Sequence, residues 1–156
     1  MPEGHTIHKI AKDHGALLSG RPIEVTSPQG RFSADAERVN GAVLEKIEPH
    51  GKHLFYHWDT GDIGHVHLGL FGKYRIHTGD DRPEPRGAVR MRLVAETATI
   101  DLAGPTACSI DDPSVRKEIL SRLGPDPIKL RQNKQKMFDK IHKSKRGIGD
   151  LLMDQS

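Results

Sequence analysis

The chain has 156 residues, 35% hydrophobic and 29% charged. That suffices for one domain, or one domain and part of a second, and it is too apolar for a disordered chain. Cys108 is the only cysteine, which excludes an intramolecular disulfide and a four-cysteine zinc site within these residues. The N-terminus is polar, without a signal-peptide core, and no apolar run approaches spanning length, so a cytoplasmic protein is expected. Net charge is +3, from 24 basic and 21 acidic residues. The excess is concentrated: Lys129 to Arg146 is dense in Lys and Arg, with Asp139 its single acid. Such a stretch suits a phosphate backbone, and a solvated helix face reads the same way.

In chain order, Ile7, Ile10, Ala11, His14, Leu17 and Leu18 recur at helical spacing and predict a helix over Thr6–Leu18. Thr6 is its expected cap, and Gly20 before Arg21-Pro22 its terminator. Short alternating segments follow at Ile23–Ser27, Val43–Pro49, His53–Trp58, Ile63–Leu68, Lys73–His77, Val89–Ala95 and Thr99–Leu102. Turn clusters such as Pro49-His50-Gly51, Asp59-Thr60-Gly61-Asp62 and Gly79 to Gly87 separate them, which indicates an antiparallel sandwich or barrel. Helical patterning returns at Asp112, a natural cap with Pro113 at the first position, and runs to Leu123 before Gly124-Pro125. A basic helix over Asn133–Lys143 and a further one from Ile148 to Met153 complete the pattern.

The opening Met1-Pro2-Glu3 carries the first chemical hint. Initiator methionine is generally removed before a small residue, leaving Pro2 as a free secondary amine. An α-amino group titrates near about 7.7–8.0, so a useful fraction is unprotonated at neutral pH. That amine is a nucleophile toward an electrophilic sugar carbon or an aldehyde, and from a secondary amine the product is an iminium ion. Glu3 beside it is a candidate proton donor. Taken alone, a Met-Pro start is common in proteins with no such chemistry.

Further motifs occur in a fixed order. They are Met-Pro-Glu-Gly-His-Thr-Ile at the start, Pro49-His50-Gly51-Lys52-His53-Leu54, and His67-Leu68-Gly69-Leu70-Phe71-Gly72. Arg122-Leu123-Gly124-Pro125-Asp126-Pro127 and Leu151-Leu152-Met153-Asp154-Gln155-Ser156 follow. The set resembles the formamidopyrimidine-DNA glycosylase and endonuclease VIII family, and the Pro-Glu-Gly opening is similar to its actinobacterial endonuclease VIII branch. The resemblance implies an N-terminal helix plus an antiparallel β-sandwich, mainly β with α. The first part of a helix-two-turns-helix module would follow. The implied division is a catalytic sandwich domain over 1–111 and an incomplete helical DNA-binding module over 112–156.

By the same resemblance, Pro2 is the nucleophile that attacks deoxyribose C1′, Glu3 the proton donor, and Lys52 a phosphate contact that assists elimination. Gly69, Leu70 and Phe71 match the loop that fills the slot left by an extruded nucleotide. Arg122 and His67 match further DNA contacts. The family's second acidic residue near the N-terminus is replaced here by His5-Thr6-Ile7. The family's zinc finger lies beyond Ser156, so no cofactor is expected in this chain and zinc only in the part that is missing. The implied function is a base-excision-repair DNA glycosylase and AP lyase acting on oxidised bases, impaired by truncation. Strand cleavage at abasic sites is expected in place of full glycosylase activity. The expected partner is damaged DNA, duplex or single-stranded, bound by a monomer without a membrane. The alternative is a non-catalytic DNA-binding fragment of the same fold. Behind it stands a His-rich metal-binding protein, in which His65-Val66-His67 would set two imidazoles on one strand face.

Overall fold

In the computed structural model, residues 2–80, 82–124, 126, 129 and 134–153 are described. Helix α1 spans Gly4–Leu18 and starts earlier than Thr6, because the Glu3 carbonyl accepts the Ile7 N–H at 3.1 Å. Glu3 is thus the cap residue and Thr6 lies inside the helix. The helix buries Ile7, Ala11, His14 and Leu18, one stripe at 3.6-residue periodicity. Gly20, at φ +77, then turns the chain by adopting a backbone conformation that a side chain would disfavour. His14 is accommodated among apolar neighbours because its Nδ1 lies 3.0 Å from the Tyr56 hydroxyl, itself 3.0 Å from that of Tyr74. Burial pushes the His14 pKa down to about 4, so the ring is neutral in this network.

Of the strand expected over Ile23–Ser27, Glu24–Thr26 forms, and a two-residue strand that the pattern does not show precedes it. Strand β1 (Arg21–Pro22) pairs with β3 (Val43–His50), whereas β2 (Glu24–Thr26) pairs with β7 (Val89–Val94) in the other sheet. The fully buried Ile23 marks the crossing, its backbone bonded to Ala42 and Gly41. A short helix α2 (Ser33–Val39) follows, with Ala36 and Val39 in the core. The remaining strands are β4 (His53–Trp58), β5 (Ile63–His67), β6 (Lys73–Thr78), β8 (Ala98–Ala103) and β9 (Ala107–Asp111). They form two antiparallel sheets, ordered β1-β3-β4-β5-β9 and β2-β7-β8-β6. The main core contains Leu18, Val25, Phe32, Leu44, Leu54, Tyr56, Trp58, Leu93, Ile100 and Leu102.

Strand alternation decides what each face of the first sheet meets. Leu54, Tyr56 and Trp58 of β4 join the main core. Phe55 points the other way and packs with Ile63 and Ile119. Ile119 belongs to α3 (Pro113–Arg122), whose cap Asp112 accepts the Ser114 N–H at 2.7 Å, as its sequence predicts. Helices α4 (Lys134–Lys143) and α5 (Ile148–Met153) follow; Asn133 of the expected basic helix is outside the described residues. Among the described residues no helix is long and apolar enough to cross a membrane.

Glu48 of β3 ties the helical segment to the sandwich. Its carboxylate accepts two bonds from Arg116 at 2.9 and 2.7 Å and one from Lys129 at 3.2 Å, and lies 3.1 Å from His57 Nε2. Burial alone would raise the carboxyl pKa, but Arg116 and Lys129 outweigh it and hold it at about 2. A carboxylate depressed in this way stabilises the fold above its ordinary value near 4.5, and that contribution disappears as pH falls toward 2. Glu48→Ala leaves two cations facing each other. Because the site is a fifth exposed, the expected loss is about 2 kcal/mol, below the range for a fully buried pair. Thermal melting of both proteins from pH 7 to 2 checks this: the difference should shrink below pH 4.

Candidate active site

One end of the first sheet gathers the residues singled out from sequence. Gly51, at φ +54, makes the β3–β4 hairpin tight, and Lys52 follows it directly. The Lys52 ammonium donates to Glu3 Oε1 at 3.0 Å. The Lys52 side chain is 16% exposed and that of Glu3 47%, so the pair opens to solvent from the carboxylate side. Pro2 precedes Glu3 and is half-buried; Met1 lies outside the described residues. Residues 49 positions apart are therefore brought to hydrogen-bond distance beside the candidate amine.

Register places the other residues at the same end. His53, next to Lys52, pairs with His67 at the end of β5. Burial first, then the nearby Lys52 charge, lowers the His67 pKa and favours its neutral ring beside that ammonium. Gly69 to Gly72 follow immediately. Gly69 has φ +65, and a Cβ there would meet Thr106 Oγ1 at 1.9 Å. A Cβ on Gly72 would meet the Leu68 carbonyl oxygen at 2.3 Å, where the Gly72 N–H returns to that oxygen at 2.9 Å. Two obligatory glycines thus force a tight turn whose tip is thrust outward. Leu70 is 65% exposed and Phe71 83%. They are not core residues, and two large apolar side chains left in water at a rigid tip imply something to insert into. Arg122 ends α3, paired with Glu118 at 3.4 Å, and its charge reaches His53.

Asp126 carries no chemical signal in the sequence beyond its place in the Arg122–Pro127 motif. Its buried carboxylate Oδ2 accepts the Gly51 N–H at 2.9 Å and lies 2.8 Å from His8 Nε2. It clamps the Lys52 turn to helix α1, which Glu3 caps. The His50 ring adds a contact to the Gly124 carbonyl at 3.2 Å. No periodicity signals such a tie, because its partners come from three separate segments. Pro125, Pro127 and Asp154 to Ser156 of the quoted motifs lie outside the described residues. Among the described residues no group of three or more His, Cys, Asp or Glu is placed to hold a metal ion.

The family profile described as formamidopyrimidine-DNA glycosylase N-terminal domain matches residues 1–111. The chain belongs to this family. It is 48% identical over 160 residues to the protein named endonuclease 8 1 of Mycobacterium tuberculosis, covering 100% of this chain and 59% of that protein. Endonuclease 8 of Salmonella typhimurium is 26% identical over 162 residues, with 100% and 62% covered. The chain therefore spans about three fifths of the curated relatives it matches. In fold it is similar to the Lactococcus lactis formamidopyrimidine-DNA glycosylase bound to DNA containing an AP site. The TM-score is 0.76 at 19% identity, over 99% of this chain and 62% of that one. A MutM structure in complex with carbocyclic 8-oxo-G containing DNA gives 0.73 at 20%, over 99% and 62%. These likenesses confirm the expected fold, an N-terminal helix with antiparallel sheets.

Proposed function

We propose that this chain carries the catalytic part of a base-excision-repair DNA glycosylase and AP lyase that removes oxidised bases through a Schiff base on Pro2. The observation that carries the reading is the 3.0 Å contact between Lys52 and Glu3, adjoining the only residue whose backbone nitrogen can serve as a secondary amine. Basic groups at this end of the sheet, Lys52, His67 and Arg122, dock phosphates of damaged DNA. Gly69 shapes the loop, and Leu70 and Phe71 fill the vacated slot. Pro2 attacks C1′ while Glu3 donates a proton as the sugar ring opens, and the base leaves. The resulting iminium acidifies the neighbouring sugar carbon, and Lys52 assists the elimination that breaks the strand. Residues 1–111 hold the sandwich that carries these groups, and 112–156 contribute helical DNA contacts.

Borohydride trapping on duplex DNA with one abasic site tests this. The expected result is a covalent protein–DNA adduct from protein whose intact mass shows Met1 removed, and none from Pro2→Ala, whose primary amine lacks the pyrrolidine ring's directed lone pair, beyond about a tenth of the wild-type yield. A pyrrolidine-independent adduct, or DNA binding with no adduct at all, overturns the enzyme and leaves the passive DNA-binding reading.

A further inference from the structure

The outer face of the first sheet carries a feature the proposed chemistry does not use. His53, His65 and His67 lie on it with Phe55, following strand alternation in β4 and β5. His53 Nδ1 and His65 Nε2 are 2.9 Å apart, so one nitrogen donates and the other accepts. The His65 ring stacks on Phe55 at 5.3 Å, and His53 lies 4.8 Å from His67. The charged groups that act directly on the pair are basic except Asp111, and Arg116 and Arg122 are themselves paired with Glu48 and Glu118. His50 comes from β3, His67 from β5 and Arg122 from α3, all acting on His53. Lys52 adjoins through His67, and Arg116 sits over Phe55 at 5.8 Å. Asp111 of β9 acts on His65 from the opposite sign. Burial first, then these neighbours, lowers both imidazoles to about 4, so each is neutral at pH 7.

We propose, resting on the reading above, that the hydrogen-bonded His53–His65 pair is a proton-accepting extension of the phosphate site, charged by one proton from solvent when a DNA phosphodiester docks on Lys52, His67 and Arg122. The arriving anion offsets the surrounding positive charges, which after burial are what keeps the pair neutral. One added proton converts one ring to imidazolium, which donates across the existing contact to its neutral partner and gains a charge-assisted bond. A second proton would set two donors against each other, so uptake stops at one. The pair is then a positioning element: it adds a cation to the phosphate cradle only when a phosphate is there.

The test is binding of duplex DNA holding a tetrahydrofuran abasic analogue, which cannot be cleaved, from pH 5.5 to 8.5. Uptake of a proton on binding means that affinity rises as pH falls, by about threefold to tenfold per pH unit. Calorimetry in two buffers of different ionisation enthalpy should report up to one proton taken up. His53→Asn and His65→Asn should flatten the slope, whereas His67→Asn should weaken binding and keep it. If either variant fails to fold, imidazole nitrogen shifts in the wild-type protein give the same answer, since DNA should protonate the pair. A slope that survives in His53→Asn, or a pair still neutral in the complex, overturns the inference alone. No binding of this DNA at any pH overturns the DNA reading and this inference with it.

Discussion

Lys52→Ala is expected to slow strand cleavage of abasic-site DNA by roughly 10²–10⁴-fold, the usual contribution of a positioned proton-transfer group. Stability should barely change. The carboxylate end of the Lys52–Glu3 pair is 47% exposed, and such pairs contribute only about 0.2–1 kcal/mol to folding. A large rate loss beside a small melting shift therefore separates a chemical role from a structural one. Lys52→Arg keeps the charge near Glu3 but cannot give up its proton at accessible pH. It should restore DNA affinity and leave the elimination slow. Glu3→Gln should act differently again. It removes the proton donor needed to expel a base, while an abasic sugar, already lacking one, still reacts with the amine. Single-turnover rates on an oxidised-base duplex and on an abasic duplex measure the split. Equal losses on both substrates would assign Glu3 to holding Lys52 in place and not to proton donation.

Much of this arrangement is legible before any coordinates. Helix α1, strand β4 and the capped start of α3 follow from strong local signals: an apolar stripe of period 3.6, an alternating run between two glycine turns, and Asp112-Pro113. What the pattern misses is short or depends on distant partners. Strand β9 shows one fully buried residue, Ile110, and exists because β5 offers it an edge. Helix α2 is seven residues long and is held by the core through Ala36 and Val39. Strand β1 is missed because Arg21-Pro22 is only two residues long and follows the helix-ending Gly20, just before the chain crosses between sheets at Ile23. At the site, Glu3 and Lys52 are identifiable from order and resemblance, but their contact requires the hairpin and helix to meet. Asp126 makes them meet, and nothing local to Asp126 announces it. The sequence sets His65 with His67 on one strand face and His53 in the Pro49–Leu54 motif; the register His53↔His67 and Phe55↔His65 makes His53 and His65 neighbours.

The exposed tip gives the second large effect. Replacing Leu70 and Phe71 together by alanine removes side chains that are 65% and 83% exposed, so folding stability should move by no more than about 0.5 kcal/mol. On duplex DNA the consequence is different. Extruding a nucleotide leaves a gap that costs a few kcal/mol of lost stacking unless an apolar group enters it. The double variant should therefore lose base removal from duplex DNA by about 10- to 100-fold, which corresponds to roughly 1.4–2.8 kcal/mol. On single-stranded DNA there is no stack to repair, and the same variant should cleave at abasic sites at nearly the wild-type rate. The glycines make the argument stricter. Gly69→Ala sets a Cβ 1.9 Å from Thr106 Oγ1 in a backbone conformation side chains rarely adopt, so it shifts the tip while leaving Leu70 and Phe71 chemically intact. If the wedge acts by position, Gly69→Ala must lose duplex activity selectively, as the double variant does. If Gly69→Ala is as active as the wild type on duplex DNA while its tip has moved, the loop is not filling the gap.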